Sequence, residues 1–251
     1  MTELLKPKCR FVYIYQENSG LAKARNQGIK RSKGDIVLFI DDDILASYDL
    51  VKEHYEYHLT HPKSVVKGWV NHVSDMENLP EPKFTWADYS TAFFWTSNVS
   101  VEKKYLVEAG FFDEDFREYG WEDLELGLRL KELGLRSVFN KKALVYHYKK
   151  ELSKDNIEGS FKVSRAKGRT AVLFCHKKPQ IRVYLATGNH FLRFLLNDFY
   201  YFGSIGERIF RDSVDKSRGN LKGFSLFSAK RLIDFEYFKA LKEEKKNWKR
   251  H

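Results

Sequence analysis

The sequence predicts an α/β fold with a mainly parallel sheet, and three observations carry that reading. Helical stretches alternate with strand-like runs as far as Tyr148. The run Asp35–Ile40 (DIVLFI) is unbroken in apolar residues after its first position, as a strand covered on both faces is. With 251 residues, 43% of them apolar and 16% aromatic, the chain can bury a substantial core, which excludes a disordered protein.

Arg10–Tyr15 (RFVYIY) reads as a strand and Leu21–Arg31 as a short helix broken by Lys33-Gly34. After the Asp35–Ile40 strand, Ser47 is placed to cap a helix that runs to about His61 and is stopped by Pro62. Val65–Val73 follows as a strand, then a loop-rich stretch with Pro80 and Pro82. Thr96–Val101 is extended, Lys103–Ala109 helical, and Glu122–Leu133 helical with Gly134 placed to end it. Ser137–Tyr148 returns to strand character, and the chain has no internal repeats and no low-complexity segments.

The longest apolar runs, Ile36–Ile40 and Ala171–Cys175, fall far short of the roughly 18 residues of a membrane-spanning helix. Met1-Thr2-Glu3 opens without a charged region followed by an apolar stretch, so the expectation is a protein that stays in the cytoplasm where it is made. Cys9 and Cys175, far apart in sequence, suit that reducing compartment better than a disulfide framework. The charge divides the chain. Residues 1–150 carry 22 Lys+Arg against 23 Asp+Glu, and residues 151–251 carry 22 against 11, so the whole basic excess is C-terminal. Two regions are expected, a catalytic one over 1–150 and a basic, aromatic-rich helical one over 151–251. The asymmetry suggests a polyanionic partner for the second, nucleic acid or an anionic membrane surface.

The first chemical signal is Asp41-Asp42-Asp43, directly after the apolar strand, where ligands bind in open α/β sheets. Three adjacent carboxylates repel one another, and their oxygens suit a hard cation, Mg²⁺ or Mn²⁺, shared with substrate phosphates. An Asp-rich turn is the bland alternative. The second signal is Gly120-Trp121-Glu122-Asp123, with both acids in a first helical turn. That is ordinary dipole chemistry, but a Trp beside a carboxylate is also a way to stack a sugar face while the acid handles a hydroxyl. His147 ends the last strand of the acidic half and reads alone as a core residue. His54, His58 and His61 have helical spacing without a zincin acid and read as a solvated face. Gly203-Ser204-Ile205-Gly206 lacks the Lys of a P-loop and carries no phosphate-binding weight.

In combination the residues resemble a specific family. Asn18 to Asn26 (NSGLAKARN), Gly34 to Asp43, Thr96 to Ser100 (TSNVS), Gly110 to Asp113 (GFFD), Gly120 to Leu126 and His147 are similar, in order and spacing, to the motif series of the family 2 glycosyltransferases of GT-A fold. The resemblance covers about residues 10 to 150. It implies inverting transfer of a sugar from a nucleotide-sugar donor of UDP, dTDP or GDP type to a hydroxyl of a glycan or lipid-linked acceptor. It further implies that Asp41 contacts the donor ribose, that Asp42 belongs to the same donor-binding DXD motif, and that Asp43 ligates the cation, with His147 completing the metal site. Asp123 matches the catalytic base, with Glu122 beside it and Trp121 in the acceptor platform. Arg25 lies near the nucleotide, and Ser97 and Asn98 line the sugar pocket.

One departure stands out. The family begins with a strand, a helix and a second strand ending in an Asp-Asp-Gly-Ser-like turn, and none of these is present. The expectation is an N-terminally incomplete GT-A domain, with a sheet gap between Arg10–Tyr15 and Asp35–Ile40 and an open edge on the latter. In the tail, Arg165–Arg169, Ala171–Phe174 and Phe191–Phe202 alternate basic with aromatic-apolar residues. This fits interfacial helices on a membrane, or aromatics that cap the catalytic core. Lys242–Arg250 reads as a solvated helix end. The reading is a metal-dependent glycosyltransferase of cell-surface glycan synthesis, peripheral on the inner face of a bacterial cell membrane. The alternative is a non-catalytic remnant that binds metal or nucleotide weakly and associates with membrane or a partner enzyme. A nucleic-acid-binding role has no motif behind it.

Overall fold

The computed structural model describes residues 10–85, 91–202 and 204–249; Cys9, Gly203 and Arg250 lie outside them. The elements are α1 (Leu21–Arg31), β1 (Ile36–Ile40), β2 (Ile44–Ala46), α2 (Leu50–Thr60), β3 (Ser64–Val73), β4 (Asn98–Glu102), α3 (Lys103–Glu108), α4 (Glu122–Glu132) and β5 (Arg136–Tyr148). Five helices follow, α5 (Ile157–Lys177), α6 (Ile181–Thr187), α7 (Phe191–Tyr201), α8 (Ile205–Asp215) and α9 (Gly223–Trp248).

The α/β class holds, but the sheet is mixed, not mainly parallel. Its order is β1-β4-β3-β5-β2, and only β3 and β5 run parallel. β4 follows the long loop after β3 and returns antiparallel between β3 and β1. Alternating helices and strands therefore overstated the parallel content, because an antiparallel return needs no helical crossover. Phe39, Val65, Val99 and Val101 pack against Leu126 and Leu130 of α4 as the main core.

Arg10–Tyr15 is not a strand. It has no strand pairing among the described residues, and Phe11, Tyr13 and Tyr15 are exposed. Residues of high strand propensity take up a sheet only where a neighbouring backbone offers its ladder, and β1 pairs with β4 alone among the described residues, leaving its other edge open.

Two further expectations change. α2 starts at Leu50 with Asp49 before it, and Ser47 does not cap it; the Ser47 amide instead donates to Leu144 O beside β2. His54 and His58 are buried, not solvated. His54 bonds Ser100 Oγ and Asn98 Oδ1, each at 2.8 Å, and His58 Nε2 meets the same Ser100 hydroxyl at 2.8 Å. The i, i+4 face of α2 turns inward because β4 supplies these polar partners.

The C-terminal helices answer the question of the tail in two parts. α5 buries Ala171, Val172, Phe174 and Cys175 against the sheet domain and α9, so here the aromatics cap the core. Gly168 lets the two helices close, since a Cβ there would stand 2.3 Å from Tyr237 O. α7 instead leaves Phe191, Leu192, Leu195, Leu196, Phe199 and Tyr200 exposed along one face. Among the described residues no helix is long and apolar enough to cross a membrane.

Candidate active site

β1 ends at Ile40, and the chain passes through Asp41-Asp42-Asp43 directly into β2. The β2–β5 register sets Ile44 opposite His147, which brings the late histidine to the triplet. His147 Nε2 lies 3.2 Å from Asp43 Oδ1 and 3.4 Å from Asp41 Oδ2. One ligand atom from each of Asp41, Asp43 and His147 falls within 4.8 Å of the others. Two carboxylate oxygens and an imidazole nitrogen form a donor set that fits a hard divalent cation such as Mn²⁺ or Mg²⁺. The imidazole packs edge-on to His72 with centroids 5.2 Å apart, and its buried Nδ1 has no hydrogen-bond partner among the described residues, which leaves Nε2 as the nitrogen presented to the acids.

β4 lies antiparallel to β1 with Asn98 opposite Ile40, so the residues before β4 reach the same end of the sheet. Thr96 and Ser97 line the cleft. Asn98 turns the other way. Its amide donates to Ala143 O at 2.9 Å and Trp69 O at 3.2 Å, its carbonyl meets His54, and Gly68 leaves the space it fills. The expectation that Asn98 lines the sugar pocket therefore meets a side chain committed to the interior.

The third wall is the start of α4. Gly120 (φ 114°) and Trp121 (φ 72°) both take left-handed backbone, which turns the chain so that Glu122 and Asp123 open the helix at the cleft. For Trp this conformation is strained by about 1 kcal/mol or more, and surrounding structure must hold it. Trp121 Nε1 donates to Lys167 O at 2.9 Å, and the indole stacks on Phe174 of α5. Glu122 is buried, bonded to Arg25 Nη1 at 2.6 Å and accepting the Gly120 amide at 3.0 Å. Among the described residues Asp123 accepts the Leu124 amide alone, at 2.8 Å, and it lines the cleft. Burial, then the neighbouring Glu122 charge, pushes its carboxyl up to about 6 against the pull of Arg25 and Lys167.

One cleft of about 480 Å³ thus collects Arg25, Asp41, Asp42, Asp43, Ser97, Trp121, Glu122, Asp123 and His147, and leaves Asn98 out. It also holds Tyr119, Trp95 and Lys167, which the sequence reading missed. Tyr119 was within reach as the aromatic preceding the Gly-Trp-Glu-Asp motif. Lys167 had no local signal, since it arrives on α5 from beyond the sheet.

The profile of glycosyl transferase family 2 matches residues 1–109, a span that holds α1, the Asp triplet and β4. Over these residues the chain is similar to glycosyl transferase family 2. Trp121, Asp123 and His147 lie beyond the residues matched by that profile, in the second half of the sheet region. The chain is 29% identical over 178 residues to the uncharacterized glycosyltransferase YfnE of Bacillus subtilis, covering 48% of this chain and 45% of that one. It is 28% identical over 166 residues to validoxylamine A glucosyltransferase of Streptomyces hygroscopicus subsp. jinggangensis (51% of this chain, 39% of that one). It is also 28% identical over 165 residues to the hyaluronan synthase of Pasteurella multocida (49% and 17%). The chain spans less than half the length of these curated relatives. Among solved structures it is similar to the mannosyltransferase PcManGT from Pyrobaculum calidifontis in complex with GDP-Man and Mn²⁺, at 12% identity and TM-score 0.49, over 91% of this chain and 67% of that one.

Proposed function

We propose that this chain is a metal-dependent, inverting glycosyltransferase that moves a sugar from a nucleotide-sugar donor to an acceptor hydroxyl in glycan synthesis. The observation that carries the reading is the pairing, in one cleft, of the Asp41–Asp43–His147 cluster with a raised, cleft-facing carboxylate, Asp123. A divalent cation held by Asp41, Asp43 and His147 would offset the charge of the departing diphosphate. Asp41, beside its share in the cation, and Asp42 would contact the ribose and phosphates of a UDP-, dTDP- or GDP-sugar, and Ser97 its sugar, since all three line the cleft.

Asp123 takes the proton of the acceptor hydroxyl. The acceptor oxygen bonds to the anomeric carbon, the bond from that carbon to the diphosphate breaks with its electron pair leaving on the phosphate oxygen, and attack from the opposite face inverts the centre. A carboxyl raised toward working pH is a better base than an ordinary Asp. Glu122 holds Arg25 and the Gly120 turn, and so fixes where Asp123 points; Trp121 offers an indole face to the acceptor sugar.

Residues 151–251 act in this reading as part of the catalytic unit, since α5 supplies Lys167 and Phe174 around Trp121. The apolar face of α7, continued by Phe202, Ile205 and Ile209, rests on the membrane surface that presents a lipid-linked acceptor. The test is hydrolysis and transfer from UDP-, dTDP- and GDP-sugars with Mn²⁺, Mg²⁺ or chelator. Activity that needs the cation and falls by about 10² or more in Asp43→Asn supports the reading; turnover indifferent to chelation, or none with any donor, overturns it.

A further inference from the structure

A second cavity, of about 500 Å³, shares Trp121 and Lys167 with the cleft, so those two side chains form the partition between them. Its remaining walls come from the C-terminal helices alone: Ser164 on α5, the α6–α7 turn, Arg193 on α7, and Asp234, Tyr237 and Phe238 on α9. None of the roles assigned to the cleft uses it.

The charges facing this cavity are unbalanced. Lys167 places Nζ 5.3 Å from the centre of the Trp121 ring and, among the described residues, makes no close ion pair, although its charge is felt by Asp123 across the partition. Arg193 lies with its guanidinium 5.2 Å from the Phe238 ring centre. Its nearest acid is Asp234, 3.9 Å away, which Arg231 already holds at 2.7 Å from outside the cavity. Two cations therefore face the space, against one acid that is neutralised from behind. Gly188, at φ 67°, makes room for this: a Cβ there would stand 3.2 Å from Arg193 Cγ and from the Phe238 ring. The Tyr237 hydroxyl, donating to Thr187 O at 2.7 Å, ties α9 to the turn and keeps that wall in place.

We infer that this cavity is an acceptor subsite that binds an anionic group, a carboxylate or a phosphate, on the unit next to the one whose hydroxyl meets Asp123. The inference rests on the proposed transferase reading and deepens it. An acceptor running from Asp123 past the Trp121 face enters the second cavity, and Lys167 and Arg193 are what it finds there. Guanidinium and ammonium groups recognise oxyanions through charge-assisted hydrogen bonds, and Arg does so bidentately.

The experiment measures binding by the full chain, without donor, of three probes by calorimetry and saturation-transfer NMR. They are a hexuronate-containing disaccharide, the same disaccharide with its carboxylate reduced to the alcohol, and the reduced disaccharide carrying a phosphate monoester in its place. We expect one charged probe to bind about 10-fold or more tighter than the reduced one, a scale of about 1.4 kcal/mol, and the tighter of the two identifies the anion. Arg193→Gln should erase the preference and Arg193→Lys should keep part of it; Lys167→Met should lessen it. Equal binding of all three probes, or a preference that survives Arg193→Gln, overturns the subsite. Because no turnover is read, charged-probe binding through Arg193 in a chain that fails every donor assay would uphold the cavity and refute the transferase reading. Turnover with no charge preference would do the reverse.

Discussion

Arg25 Nη1 stands 2.6 Å from Glu122 Oε1, and the other oxygen of Glu122 accepts the Gly120 amide at 3.0 Å. One buried carboxylate thus joins α1 to the turn that opens α4, and both its oxygens are committed before any substrate arrives. The two adjacent acids of the motif therefore divide their work, the first positioning and the second facing the cleft.

Glu122→Gln should accordingly act on stability more than on chemistry. It keeps the shape but strands the Arg25 guanidinium, at a cost of about 2–3 kcal/mol, below the usual figure for a fully buried pair because Arg25 retains some contact with water. Urea denaturation reads this. A variant as stable as the wild type would show that the pair holds nothing.

Asp123→Asn should behave in the opposite way. Transfer should fall by about 10² or more, while stability rises at neutral pH. The sign follows from a folded pKa of about 6 against an unfolded value of 3.8: the favourable protonated state is fully populated below about pH 4 and lost as pH rises through 6. Above that pH the wild type carries a burden of up to about 3 kcal/mol that the amide lacks. Melting curves at pH 4 and pH 8 should show the Asn variant matched to wild type at the first and more stable at the second. The wild-type rate should drop on the acid side of about pH 6. An Asn variant with full activity would remove Asp123 from the chemistry.

His54 makes the contrary prediction for acid. Burial lowers its pKa from 6.5 to about 4, with Asn98 pulling the other way, so it is neutral in the fold. Its contribution is complete above pH 6.5 and is lost as pH falls from there through 4, to a total of about 3 kcal/mol. His58 is lowered in the same direction, also chiefly by burial. Asp123 works against both below pH 6, so the readout is the difference between wild type and His54→Gln in urea midpoint from pH 7.5 to 4.5. That difference should shrink with acid. A constant gap would mean that His54 titrates alike in the folded and unfolded chain.

The α7 face predicts vesicle binding with little dependence on salt. Residues 191–215 carry three Arg against four Asp and Glu, so the exposed stripe itself is not cationic, and its attraction to a bilayer is apolar. The basic excess lies on the flanking segments. Flotation with mixed neutral and anionic phospholipid vesicles should retain the wild type and release a Leu195→Glu/Phe199→Glu double variant. Wild type left at the bottom of the gradient would assign the stripe to another partner.

Much of this was readable from the chain. α1 has the predicted limits, and the limits of β3, α4 and β5 differ by one residue, because breakers and periodicity agree at each. The Asp triplet and His147 were found through motif order. Their meeting depends on the β2–β5 register, which no local pattern encodes. Asn98 was misjudged for a reason the sequence did hold: Ser97 and Asn98 are neighbours at the start of a strand, so they point to opposite faces. His54 and His58 looked like surface residues because their partners, Asn98 and Ser100, sit more than forty positions away.

The Asp triplet has a mechanical aspect as well. β1 and β2 are the two outermost strands of the sheet, yet only three residues separate them in the chain. Ile40 and Ile44 can stand no more than about 14 Å apart, four residue steps of extended backbone, so the sheet must curl until its borders approach at this end. The triplet is a drawstring on that curl. Three like charges pull against it, and whatever neutralises them tightens it, so occupation of the cleft would be felt as a stiffening of both borders at once, visible as slower amide exchange in β1 and β2 together.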